Sequence, residues 1–167
     1  MDVIADDLAK PRRAPIEFDA FVADGARRVR RALVAFYGLE IGGDAADEAI
    51  AVAWEKWEVV GFTDDPAAYV FRIGQSKARP NLRWRARRTL FSDTGASSAT
   101  VDVPAAVDLL RAIERLRPQQ RTAVMLVKSY GYSHREVAAL LGVSESVVNN
   151  LVHRGVRTLR TLLEVRS

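Results

Sequence analysis

The sequence predicts an all-α protein: two small helical domains joined by a flexible linker, the second with a helix-turn-helix. Three observations carry this. Apolar residues recur at helical spacing through almost every segment, and strand-like alternation is nowhere sustained. Residues 92–104, SDTGASSATVDVP, are small, polar and without period, which reads as a linker. Beyond it, residues 133–164 set out a cap, a short helix, a glycine turn and a longer helix.

The first domain, residues 16–91, holds three predicted helices. In the first, over about 17–37, Phe18, Phe21, Val22, Val29, Leu33 and Phe36 form an apolar stripe. Gly25 is an interior weak point and Gly38 a stop. Arg27, Arg28, Arg30 and Arg31 surround the stripe; such a run more often solvates a helix face than it touches DNA. Gly42-Gly43 predicts a break, after which Asp44 suits an N-cap with acidic residues in the first turn. The second helix then runs to about residue 60, with Trp54 and Trp57 one turn apart. Their spacing and apolar neighbours place both in the core, one of them edging an interface. Thr63-Asp64-Asp65-Pro66 is a start signal for the third helix, which carries Tyr69, Val70, Ile73 and Leu82. Pro80 predicts a kink or interruption near Arg79, because proline lacks the amide donor and crowds the preceding turn.

The second domain, residues 105–167, carries four predicted helices, at about 105–116, 118–130, 134–141 and 145–164. Ser133 and Glu136 form a capping-box pattern, with Val137, Ala138 and Leu141 inward. Gly142 supplies a turn whose left-handed backbone is cheap only for glycine. Ser144 caps the last helix, and Val148, Leu151, Val152, Leu159 and Leu162 form its inward side. Glu145, Ser146, Asn149, Asn150 and His153 point outward near its start, followed by Arg154, Arg157 and Arg160. Polar side chains at the leading end with cations behind them are what a recognition helix needs for base edges and phosphates.

Composition narrows the function. Net charge is only +4, but positions 38–65 hold eight acidic residues and one basic, and positions 66–88 hold seven basic and none acidic. An acidic face beside a basic one suggests two partners, the basic one meeting a polyanion. With no cysteine, disulfides, thiolate metal sites and thiol nucleophiles are excluded. His134 and His153 fall on different helices, and there is no glycine-rich phosphate loop, so no enzyme, metal site or cofactor is expected. No apolar run suits a membrane span or signal peptide, and the expected location is cytoplasmic.

Together the halves resemble the extracytoplasmic-function (ECF) sigma factors of the sigma-70 superfamily, over nearly the whole of residues 18–163. LRPQQRTAVMLVKSYGYSHREVAALLGVSESVVNNLVHRGVRTLR, residues 116–160, is similar to the family's second conserved domain, which grips the minus-thirty-five element. DDPAAYVFRIGQSKARPNLRWRARR, residues 64–88, resembles the part of the first domain that melts and holds the minus-ten element. GGDAADEAIAVAWEKW, residues 42–57, resembles the helix that docks on the clamp of the polymerase large subunit.

The resemblance implies core RNA polymerase and promoter DNA as partners, with an anti-sigma factor possible because a flexible linker lets two domains be clamped shut. Upstream contacts fall on Ser144, Glu145, Ser146, Asn149, Asn150, His153, Arg154 and Arg157. Contacts to the melted element fall on Arg72, Ser76, Lys77, Arg79, Arg83, Trp84, Arg85, Arg87 and Arg88, where Trp84 either stacks on an unpaired base or packs on the first helix. Polymerase contacts fall on Asp44, Asp47, Glu48, Ile50, Ala51 and Glu55. The chain departs from the family where Asn149 replaces a frequent lysine, Leu151 an arginine, Ile50 and Ala51 a glutamine–glutamate pair, and Ser76 an asparagine. Ile50 and Ala51 favour one competing reading, a DNA-binding regulator that no longer engages polymerase; a third reading, a decoy that occupies an anti-sigma factor, predicts no specific DNA binding by the second domain.

Overall fold

The computed structural model describes residues 15–89 and 104–164, with side chains placed outside 82–89 and 104–106. Every regular element in that range is helical. The order is α1 (Phe18–Ala20), a π-helical stretch (Phe21–Gly25), α2 (Ala26–Tyr37), α3 (Leu39–Glu55), α4 (Trp57–Val60) and α5 (Pro66–Thr89). Then come α6 (Pro104–Glu114), α7 (Pro118–Val124) with a π-helical continuation (Met125–Ser129), α8 (His134–Leu141) and α9 (Glu145–Glu164). The linker expected at 92–104 lies outside the described residues except for Pro104, which opens α6.

α2, α3 and α5 form the first bundle, and its packing explains three departures from the sequence expectations. The break at Gly42-Gly43 does not occur: α3 starts at Leu39 and runs straight through both glycines. A Cβ at Gly42 would lie 2.3 Å from the Leu33 carbonyl oxygen, so the glycine is there to let two backbones touch. The inward stripe of α3 is alanine (Ala45, Ala46, Ala49, Ala53), again small residues that allow close approach. Trp54 is about a hundred degrees off that stripe and is 63% exposed, so it is not a core residue. Trp57 is half-buried against the core: a break at Lys56 turns it inward, where Nε1 donates to the Ile16 carbonyl at 2.8 Å and the ring meets Phe18 and Phe21. Pro80, the third departure, interrupts nothing, and α5 continues to Thr89. Pro80 and Ser76 are both exposed, so water can satisfy the carbonyl that loses its intrahelical donor.

In the second bundle Ser133 Oγ accepts the Glu136 amide, and the Glu136 carboxylate accepts the Ser133 amide at 2.8 Å, the expected capping box. The donations from the Ser133 amide and from the Ser133 hydroxyl hold the Glu136 carboxyl below its ordinary pKa. Gly142 takes the left-handed conformation, φ 67°, and turns the chain into α9. Val137 and Leu140 are buried on α8, with Leu141 only half-buried; Val148 and Val152 are buried on α9.

One apolar core joins the two bundles: Leu33, Val70 and Phe71 share it with Leu126, Leu140 and Val148. Full burial of such a side chain stabilises by about 1.5–3 kcal/mol. α2 packs on α7, and α5 on α8.

Candidate nucleic-acid interface

The leading end of α9 is built outward from its cap. Ser144 Oγ accepts the Val147 amide at 3.3 Å and lies 2.9 Å from Ser146 Oγ. With Val148 and Val152 filling the inner side, Ser144, Glu145, Ser146, Asn149, Asn150, His153, Arg154 and Arg157 are all exposed, as the sequence predicted. A ninth exposed residue, Val147, was missed, because an apolar side chain beside Val148 reads as core.

On α5, Arg72, Ser76, Lys77 and Arg79 are exposed. Burial raises the pKa of the Tyr37 hydroxyl, with the Arg79 charge and a hydrogen bond with Gln75 acting against that shift. Arg83, Trp84, Arg85, Arg87 and Arg88 belong to the same continuous helix, and their side chains lie outside the described set. The two readings of Trp84 therefore stand as they were. Asp44, Asp47, Glu48, Ala51 and Glu55 are exposed on α3, and Ile50 is half-buried. Two of these acids have partners in the chain: Asp47 pairs with Arg30, and Glu48 with Lys77 at 3.4 Å. Both pairs are surface pairs, which contribute little and exchange readily.

Of the four arginines of α2, Arg27 and Arg30 are exposed as the sequence reading expected, while Arg28 and Arg31 turn toward the other bundle. Arg31 donates to the Tyr132 hydroxyl at 2.9 Å, with its guanidinium 4.3 Å from the Tyr130 ring centroid. Arg28 stacks near Tyr132 at 5.8 Å. From the other bundle Arg121 donates to the Ala35 carbonyl, to the Phe36 carbonyl at 2.8 Å and to the Glu114 carbonyl at 3.1 Å. Burial lowers the Arg121 pKa, and Glu114 acts against that shift. These contacts make a polar seam between the bundles. Its partners are up to 101 positions apart, and sequence periodicity is blind to that separation. The Tyr130-Gly131-Tyr132 pair before α8 was its one local trace.

Comparison with known proteins decides the family. The model of sigma-70 region 4 matches residues 106–159, from α6 through most of α9. The ECF RNA polymerase sigma factor SigL of Mycobacterium tuberculosis is 30% identical over 143 residues, covering 77% of this chain and 81% of that one. The chain belongs to the ECF sigma factors. Like them it binds core RNA polymerase and directs initiation at particular promoters. The RNA polymerase sigma factor CarQ of Myxococcus xanthus is 33% identical over 102 residues, covering 57% of this chain and 59% of that one. Among solved structures, the sigma factor RpoE of Bartonella quintana, determined with the anti-sigma factor NepR, aligns at TM-score 0.60 and 21% identity, over 90% of this chain and 98% of that one. CnrH, determined with the cytosolic domain of CnrY, aligns at TM-score 0.56 and 25% identity, over 90% and 89%. ECF sigma factors are regulatory proteins. No helix among the described residues is long and apolar enough to cross a membrane.

Proposed function

We propose that this ECF sigma factor reads the minus-thirty-five element with α9, through Ser144, Glu145, Ser146, Asn149, Asn150 and His153, while Arg154 and Arg157 take phosphates. The observation that carries this is the bare leading face of α9, polar, and followed one to two turns on by exposed arginines. With asparagine at position 149, adenine is the base best matched, through a bidentate amide contact from Asn149 or Asn150.

The melted minus-ten strand follows α5, along Arg72, Ser76, Lys77, Arg79, Arg83, Trp84, Arg85, Arg87 and Arg88. The polymerase clamp meets α3, at Asp44, Asp47, Glu48, Ile50, Ala51 and Glu55. Exposed Trp54 lies one turn beyond Ile50 and Ala51 and supports an apolar contact where the family has a polar pair. Polymerase binding releases Asp47 and Glu48 from Arg30 and Lys77, pairs weak enough to exchange.

Holding both promoter elements requires the seam to open. The elements are about 25 base pairs apart, about 85 Å at ~3.4 Å per base pair. A compact body of this chain length has a radius of gyration of only about 15 Å. An anti-sigma factor that gripped both bundles would keep the seam shut, and the likeness to CnrH solved with the CnrY cytosolic domain supports such a partner. The protein contributes binding energy and no covalent chemistry, and acts wherever polymerase meets DNA, in the cytoplasm.

The test is transcription on sheared genomic DNA with sigma-free core polymerase plus this protein. Discrete start sites sharing an upstream motif are expected. A motif unchanged by Asn150→Ala would remove α9 from the reading surface.

A further inference from the structure

Val147 is 41% exposed in the first turn of α9, and Val143 in the preceding turn is 40% exposed. A single bare valine means little on most surfaces. This one is distinguished by its position. It lies on a line with Asn150 and Arg154 at i, i+3 and i+7, inside the face that the proposed function gives to the upstream element. The core gains nothing from it, because Val148 and Val152 already close the inner side. A β-branched residue at that exposed position also costs the helix a few tenths of a kcal/mol relative to alanine. Its backbone is held by the Ser144 cap, and a valine in a helix is confined to essentially one rotamer, so its two methyls point in a fixed direction.

An apolar reader with fixed methyls has one complement in the major groove, the 5-methyl group of thymine, the only apolar group the base edges show there. We propose that Val147 is a specificity-determining residue that packs on a thymine methyl in, or next to, the base pair read by Asn150. The inference rests on the assignment of α9 to the upstream element. It makes that element rich in A·T pairs at this point: Asn150 reads an adenine edge and Val147 an adjoining methyl.

Deoxyuridine tests it, because it pairs as thymine does and lacks only the methyl. The upstream motif is first recovered by selection from randomised duplexes with full-length protein in holoenzyme. Each thymine of the motif, on both strands, is then replaced singly. At one position the wild-type holoenzyme should bind about three- to fivefold more weakly, the effect of one buried methyl. Val147→Ser should bind the thymine and uracil duplexes equally, and Val147→Thr, which keeps one methyl, should retain part of the difference. The inference is overturned if every replacement is tolerated while Asn150→Ala still loses affinity, and the α9 reading then survives. It is likewise overturned if Val147→Ser keeps the full wild-type discrimination. If no motif is enriched at all, the α9 reading fails and the inference with it.

Discussion

Arg31 and Arg121 lie in the seam between the bundles, while Arg154 and Arg157 stand in solvent behind the first turn of α9. The first pair has its donors committed to one phenol, one aromatic face and three carbonyls. Among the described residues, no hydrogen bond or ion pair engages the guanidinium of Arg154 or Arg157. On the proposed reading, identical side chains divide between holding the molecule closed and holding a ligand outside it. The division follows what each helix packs against, and net charge carries no trace of it. Stability and promoter affinity should accordingly respond to different arginines.

Arg121→Ala is expected to give the largest effect, a loss of about 2–4 kcal/mol in urea unfolding. It removes three charge-assisted donors and leaves the Ala35 and Phe36 carbonyls without them at the half-buried end of α2. A loss under about 0.5 kcal/mol would show that the seam is already open in solution.

Arg154→Ala should do the reverse, with stability changed by less than about 0.5 kcal/mol and promoter affinity lowered about equally across sequences, as loss of a phosphate contact does. Arg157→Ala should reduce the slope of log affinity against log salt by about one, as loss of one phosphate contact does. A slope change as large from Arg31→Ala would blur the distinction, since that side chain should touch no DNA.

How much of this was legible in the sequence depends on the range of the interaction. The second bundle's signals are local, and they were read residue by residue: the Ser133–Glu136 box, Gly142, the caps and the bounds of α8 and α9. The outward polar face of α9 followed from them. Gly42 and Trp54 were misplaced because their positions depend on how closely α2 and α3 approach, a quantity fixed by Leu33 and a stripe of alanines. The seam was invisible for the same reason: Arg31 meets Tyr132 across most of the chain. Val147 was missed because hydropathy marks a valine as core whether it faces protein or groove.

Tyr132→Phe is a finer cut at the seam. The variant keeps the ring that packs beside Arg28 and Arg31 and removes only the hydroxyl acceptor. The expected cost is about 1–2 kcal/mol, a single charge-assisted hydrogen bond, with promoter affinity per folded molecule unchanged or slightly raised. Weaker promoter binding from Tyr132→Phe would mean that the seam supports α9 rather than competing with its use.

The smallest expected effect is a dependence on pH at the start of α8. The Glu136 carboxyl is held below its ordinary value of 4.5 by the Ser133 amide, then the Ser133 hydroxyl. A depressed carboxyl adds stability at pH values above the unfolded value, and that stability is lost as pH falls through the folded one. The group is exposed, so solvent screens the effect and keeps it small. Glu136→Gln retains an acceptor for the Ser133 amide but has no charge to lose. The urea midpoints of wild type and Glu136→Gln should therefore differ most above the ordinary value of 4.5 and converge as pH falls through the lower folded value. Parallel midpoints across that range would mean that the capping box holds α8 by geometry alone, leaving the recognition helix beyond Gly142 equally well placed in acid.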